Sequence, residues 1–224
     1  MTKTSGYLVH CMADTHNFKP ELPGGDLLLI AGDCTMRGSK HEVKAFVSWL
    51  ETLKYDKIIY IAGNHDVAID TYFSKDPRIE YLMHSSTEFN GWRIHGMPFC
   101  GFFEGMNPAV AAFTVSETSM AAFCEEIPHD TEILLIHGPP LGILDSIEEE
   151  QVGSQALYNA LMDRKALPHL KYVIFGHIHE NGECVDYVND IAFVNCAQVD
   201  ENYDLVYKPI TMELPRKQNK QDAN

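Results

Sequence analysis

The sequence predicts an α/β domain, on three observations. Apolar runs of three to six residues recur through the chain, each ends at a short segment carrying Asp, Asn or His, and a capped helical pattern lies between the second run and the third. Runs with no polar face read as strands covered on both sides, and the C-terminal ends of such strands are where α/β folds keep their sites.

The chain has 224 residues, enough for one such domain with a sizeable core and too few for two. The expected organisation is a single domain over 1–214 and a polar, mobile tail over 215–224. Apolar residues make up 45% and charged residues 22%, near the averages for globular proteins, so nothing marks the chain as fibrous or disordered. Seventeen basic against 32 acidic residues give a net charge of −15, which argues against duplex nucleic acid as a partner. No window approaches the roughly 20 apolar residues of a spanning helix, and the N-terminus carries no export signal. Six cysteines are scattered singly, without the pairing of a zinc knuckle or redox motif. A soluble protein with buried thiols in a reducing cytoplasm, away from membranes, is the expectation.

Tyr7 to Met12 is the first strand-like run and ends at Asp14-Thr15-His16; Leu27 to Ala31 is the second and ends at Gly32-Asp33. Ser39 with Glu42 forms a capping box, and Val43, Phe46, Val47, Leu50 and Leu53 follow it at helical spacing. Lys57 to Ala62 is a third core strand, ending at Gly63-Asn64-His65-Asp66. Short strands are expected from Ile79 to Phe99, with Asn90-Gly91 as a hairpin turn, and then an irregular loop to Pro108. A helix near Ser119 to Glu126 precedes the run Ile133 to Ile136, which ends at His137-Gly138. Leu141 to Gly153 reads as an acidic loop and Ser154 to Arg164 as a helix. The strand at Tyr172 to Ile174 runs out into Phe175-Gly176-His177-Ile178-His179-Glu180, where period-two alternation points both histidines the same way. Cys184 to Val188, Ile191 to Asn195 and Val206 to Met212 read as antiparallel strands.

A single Asp or His at a strand end is more often a cap or turn residue than a ligand. Five such endings in order carry more weight: Asp-x-His, Gly-Asp, Gly-Asn-His-Asp, His-Gly and Gly-His-x-His. Asp, Asn and His without thiolate suit Mn²⁺, Fe or Zn²⁺ better than a structural zinc, and seven ligands exceed the needs of one ion. Two ions about 3.5–4 Å apart, with one carboxylate shared, would use them all.

These five motifs, from Asp14 to His179, resemble the calcineurin-like metallophosphoesterase superfamily. Within it, His137-Gly138-Pro139-Pro140-Leu141-Gly142 and Gly176-His177-Ile178-His179-Glu180 are similar to the metallophosphoesterase-domain proteins of mammalian brain and their bacterial relatives, which act as phosphodiesterases. The resemblance implies a four-layer α/β/β/α sandwich of two mixed sheets flanked by helices, with a binuclear metal site at strand C-terminal ends. It implies that Asp14, His16 and His179 hold one metal, that Asn64, His137 and His177 hold the other, and that Asp33 bridges. His65 matches the family's leaving-group acid, with Asp66 as its orienting partner. Two divalent ions are implied as cofactors, Mn²⁺ first, with Fe or Zn²⁺ as alternatives.

Two divalent ions outweigh Asp14, Asp33 and a shared hydroxide in charge, so an acidic protein can still take an anionic substrate there. The expected reaction is hydrolysis of a phosphodiester, cyclic nucleotide or otherwise nucleotide-like, by in-line attack of metal-bound hydroxide. A phosphomonoesterase acting on nucleotides or phosphoproteins and a non-catalytic metal-binding scaffold are the alternatives. The oligomeric state stays open, with a homodimer as one option. Cys34 is expected in the core, and His10, His41, His84, His95, His129 and His169 match no ligand motif. Arg37 could reach a phosphate but reads as a solvated loop residue, and Phe99, Phe102 and Phe103 could stack on a nucleobase but read as packing residues.

Overall fold

The computed structural model describes residues 6–104 and 106–217. Gly6–Met12 (β1), Gly25–Ala31 (β2), Tyr55–Ile61 (β3) and Ile79–Tyr81 (β4) lie side by side, all parallel. A second sheet contains Ser85–Phe89 (β5), Trp92–Met97 (β6), Ile133–Ile136 (β7), Tyr172–Phe175 (β8), Cys184–Val188 (β9) and Ile191–Asn195 (β10), in the order β9-β10-β8-β7-β6-β5. Its four inner strands are parallel and its two edges are antiparallel hairpins. Ile210–Pro215 (β11) returns to the first sheet, antiparallel to β1. Both sheets are therefore mixed.

Strand alternation builds three apolar layers from these runs. In β2, Leu27, Leu29 and Ala31 face the second sheet, whereas Leu28 and Ile30 face outward. The outward set packs on Val43, Phe46, Val47 and Leu50 of Lys40–Leu50 (α1). Ser39 caps this helix: its hydroxyl accepts from Glu42 N–H, and Glu42 accepts from Ser39 N–H at 2.8 Å. The outer face of the second sheet, through Val173 and Phe175, packs on Glu117–Glu125 (α2) and Gln155–Met162 (α3). Each fully buried Leu or Ile contributes about 1.5–3 kcal/mol, so the sandwich rests on its three apolar layers. The four layers are α/β/β/α.

Three expectations need correction. The run Val206 to Met212 is not one strand: Pro209 has no N–H for a ladder, the N–H groups of Val206 and Tyr207 both go to Gln198 O, and pairing starts at Ile210. The acidic loop holds a short hairpin, Ser146–Ile147 with Glu150–Gln151, across which Asp145 accepts from Gly142 and Gly153 N–H. The start of the tail is held, because Pro215 O accepts from the Trp92 indole, Arg216 lies over the Tyr7 ring and Lys217 over the Trp92 ring. The rest of the tail lies outside the described residues.

His95 sits on β6, buried, with Nδ1 2.8 Å from Ser86 Oγ and Nε2 3.3 Å from His84, which in turn reaches Glu126. Burial, and then the charge of His84, hold its pKa down at about 4. An unfolded histidine takes its proton near 6.5, so the folded state loses stability as pH falls through 6.5, and the loss levels off below 4. Urea unfolding of EDTA-treated protein at pH 7 and pH 5 is expected to show His95→Gln losing less stability than wild type, by about 2 kcal/mol. Equal losses would assign the acid sensitivity elsewhere.

Candidate metal centre

Every site residue follows the end of a parallel strand. Asp14 and His16 follow β1, Asp33 follows β2, Asn64, His65 and Asp66 follow β3, His137 follows β7, and His177 and His179 follow β8. The backbone turns sharply there: Asp14 (φ 51°), His16 (40°), Asp33 (51°) and His177 (71°) are all in the left-handed region. Such conformations cost non-glycine residues on the order of 1–3 kcal/mol each and collect where function requires them.

His177 and His179 both line the site, but not through the alternation of an extended segment. The left-handed turn at His177 breaks the alternation, and His179 opens a short 3-10 turn over His179–Asn181. One donor group is Asp14, His16 and His179; another is Asp33, His137 and His177, and within each the donor atoms lie within 4.8 Å of one another. A third, His16 with Asp33 and His65, links them. Asn64 joins the second group, its Oδ1 3.0 Å from His137 Nε2. All seven expected ligands and His65 thus converge.

The hydrogen bonds around the site decide which atoms face inward. His137 Nδ1 donates to Ala31 O at 2.8 Å, His179 Nδ1 to Asp200 O at 3.1 Å and His65 Nδ1 to Met36 O at 2.7 Å. Each ring is left with Nε2 for the site, the arrangement by which a carbonyl behind the ring orients a metal-binding imidazole. Asn64 Nδ2 donates to Val110 O at 2.8 Å, which turns its carbonyl oxygen inward. Acceptors then face one another: His137 Nε2 lies 3.0 Å from Asn64 Oδ1 and 3.4 Å from Asp33 Oδ2, and His16 Nε2 lies 3.3 Å from His179 Nε2. Asp14 Oδ1 and His177 Nε2 are buried with no hydrogen-bond partner. A buried polar atom left so costs about 1–3 kcal/mol, and a divalent cation among these acceptors satisfies them. The donor set fits such an ion.

Protonation reflects the same polarity. Burial holds His16 at about 4 and, with the charge on His137, His177 at about 3. Burial also opposes charge on His137, but the Asp33 carboxylate outweighs it and holds that ring up at about 9. His179 is raised likewise against burial by Asp14, while Asp14 and Asp33 are held below the ordinary carboxylate range against burial by His179 and His137 respectively. Two buried carboxylates thus require positive charge nearby, as protons or as metal.

Asp66 does not orient the His65 ring, which is set by the Met36 carbonyl. Its buried carboxylate accepts from Thr35 N at 2.9 Å, Thr35 Oγ1 at 2.7 Å, Gly63 N at 3.0 Å and Cys34 N at 3.2 Å, so it ties the Asp33 loop to the Asn64 loop. Cys34 packs in the core beneath, as expected. Gly176 is needed for space: a Cβ there would collide with Asp14 Oδ2, which accepts from His177 N–H at 2.9 Å.

The site opens into a cavity of about 230 Å³. Two of its walls escape sequence reasoning. Tyr203 (φ 64°) lies edge-on to His16 and His179, with ring centroids 4.8 and 5.0 Å apart, but no motif surrounds it. Phe103 lies edge-on to His177 at 5.6 Å, whereas Phe99 stacks on Phe123 in the core and Phe102 is exposed.

The sequence model of the calcineurin-like phosphoesterase family matches residues 8–181. Metallophosphoesterase domain-containing protein 1 of Homo sapiens is 33% identical over 93% of this chain and 71% of its own length. A 3′,5′-cyclic-nucleotide phosphodiesterase of Nostoc sp. is 27% identical over 75% of this chain and 60% of its own. Among solved structures, a protein of Thermus thermophilus superposes with a TM-score of 0.64 at 14% identity, over 93% of this chain and 99% of that one, which is a likeness of fold. The family uses divalent metals in phosphoester hydrolysis, and this chain brings its candidate ligands to one place. From the fold, the converging donors and the family match together, the chain belongs to the calcineurin-like phosphoesterase family.

Proposed function

We propose that this protein is a two-metal phosphodiesterase acting on cyclic nucleotides or similar nucleotide-like diesters, with Mn²⁺ as its first-choice metal. The observation that carries this reading is that Asp33 belongs to two donor groups at once, one with His137 and His177 and one with His16 and His65. Asp14, His16 and His179 would hold one ion, and Asn64, His137 and His177 the other, with Asp33 between them. Bound there, the ions supply an acidified water and neutralise the phosphate oxygens. The protein's own residues do the rest. His65 keeps its Nδ1 on Met36 O and presents Nε2 to the cavity, where it can give a proton to the departing oxygen. Asp66 holds the two ligand loops in register. The 27% identity to a cyclic-nucleotide phosphodiesterase supports a diester substrate. Six free cysteines, five of them buried, support a reducing compartment.

Elemental analysis after Mn²⁺ loading is expected to give two ions per chain, and EDTA to abolish hydrolysis across a panel of cyclic nucleotides, nucleotide monoesters and aryl diesters. A saturating stoichiometry of one, with activity intact, would overturn the two-metal reading. Turnover confined to monoesters would overturn the diester assignment.

A further inference from the structure

A second cavity, of about 490 Å³, meets the first and shares His65, Asn107, Val110 and Tyr203 with it. The two form one groove with His65 at its waist. Its ends differ in charge. Beyond the donor residues lie Glu180 and Glu201, and on the far side of His65 lies Arg37, the one lysine or arginine among the described residues that line either cavity.

Some other cations of this acidic chain are paired, Arg78 with Asp76, Arg93 with Asp130 and Lys57 with Glu80, whereas Arg37 is exposed at the cavity wall. The Arg37 guanidinium has no ion pair or hydrogen bond among the described residues, although its main chain is pinned on both sides. Its N–H donates to Glu42 Oε1 at 3.2 Å, Met36 O accepts the His65 ring, and Gly38 O accepts from Ala68 N–H at 3.0 Å. Gly38 (φ 66°) is packed so closely on Val67 and His65 that no Cβ fits there. The loop is thus fixed to the ring that faces the departing oxygen, and it carries an unspent positive charge. The Glu42 carboxylate nearby is occupied by Ser39 and Asn17 as well as by the Arg37 N–H.

We infer that Arg37 holds a second anionic group, a carboxylate or phosphate, on the leaving part of the substrate. The substrate class is then a phosphoester whose departing alcohol is itself charged, with its other substituent toward Phe103, Glu180 and Glu201. A guanidinium suits this role because it grips such anions with two parallel N–H donors. The acidic far end would repel the same group, so the groove also sets the direction in which the substrate lies. This inference rests on the phosphoesterase reading of the centre, with His65 on the leaving-group side.

Unreactive phosphonates separate the two claims by binding alone. Calorimetric titration of Mn²⁺-loaded protein would compare the methyl ester of 4-carbamoylbenzylphosphonate, a diester analogue whose P–C bond cannot be hydrolysed and which is neutral at its far end, with the 4-carboxy and 4-phosphono analogues. Wild type is expected to bind one or both anionic probes about 10-fold more tightly than the neutral one. Arg37→Gln is expected to remove the difference with metal content unchanged, and Arg37→Lys to keep part of it. Equal affinities in wild type, or a preference that survives Arg37→Gln, would overturn the assignment of Arg37 alone. If no probe binds at all, the phosphoesterase reading falls and the Arg37 assignment falls with it.

Discussion

Asp33→Asn is expected to lower phosphoester hydrolysis by at least about 10³-fold and to cut bound Mn²⁺ from two ions per chain to one or none. Loss of a residue that only hydrogen-bonds to a metal ligand costs about 10–100-fold, and a shared ligand should cost more because both ions depend on it. The geometry gives Asp33 that position. Its Oδ2 lies 3.4 Å from His137 Nε2, its Oδ1 accepts the His65 N–H at 2.8 Å, and it counts in one donor group with His137 and His177 and in another with His16 and His65. Its charge also matters, since it is the carboxylate that raises His137 and balances positive charge in a buried site. An amide keeps the shape and removes that charge. Asn64→Asp and His16→Gln each change a residue that the proposed centre assigns to one ion rather than to both, and each is expected to lose less activity and to retain at least one ion. Metal analysis and kcat on the same three samples decide this. Comparable losses in all three, at full metal content, would mean that Asp33 does not join the two groups.

The ligands were readable because each directly follows an apolar run, and a run that must be buried on both faces places its end at the rim of a parallel sheet. That logic reached Asp14, Asp33, Asn64 and His137 without any knowledge of the turns. It reached His177 and His179 as well, but not by the alternation expected of them, because alternation holds only while the backbone stays extended and His177 is in the left-handed region. Tyr203 was invisible for a related reason: it reaches the site from a turn that folds back over His16 and His179, in which its N–H goes to Asp200 O and Asp200 N–H to Asp204 O. The role of Asp66 was missed because three of its four donors are backbone N–H groups, which no residue type announces. In the fold, the start of β11 was misplaced at Val206 because Pro209 interrupts the ladder, and its partner β1, some two hundred positions away with registers such as Val9 against Met212, was not foreseen. Local pattern can identify a strand but not the sheet it joins.

His65→Ala is the substitution that separates chemistry from metal binding. His65 is close enough to His16 and Asp33 to count with them as a donor group, with ring centroids 4.6 Å apart for the histidine pair, yet its Nδ1 is committed to Met36 O and it lines both halves of the groove. A ligand and an acid differ in what their loss does. If His65 gives its proton to the departing oxygen, its removal matters in proportion to how basic that oxygen is, and general acid catalysis is worth about 10²–10⁴-fold. A ribose alkoxide needs the proton; a nitrophenolate leaves without it. His65→Ala is therefore expected to keep both metals, to lose about 10²–10⁴-fold in kcat on a nucleotide phosphodiester, and to lose much less on a nitrophenyl phosphodiester. Elemental analysis and kcat for both substrates, taken on one preparation, give the answer. Equal losses at full metal occupancy rule out the acid role, and loss of an ion makes His65 a ligand instead.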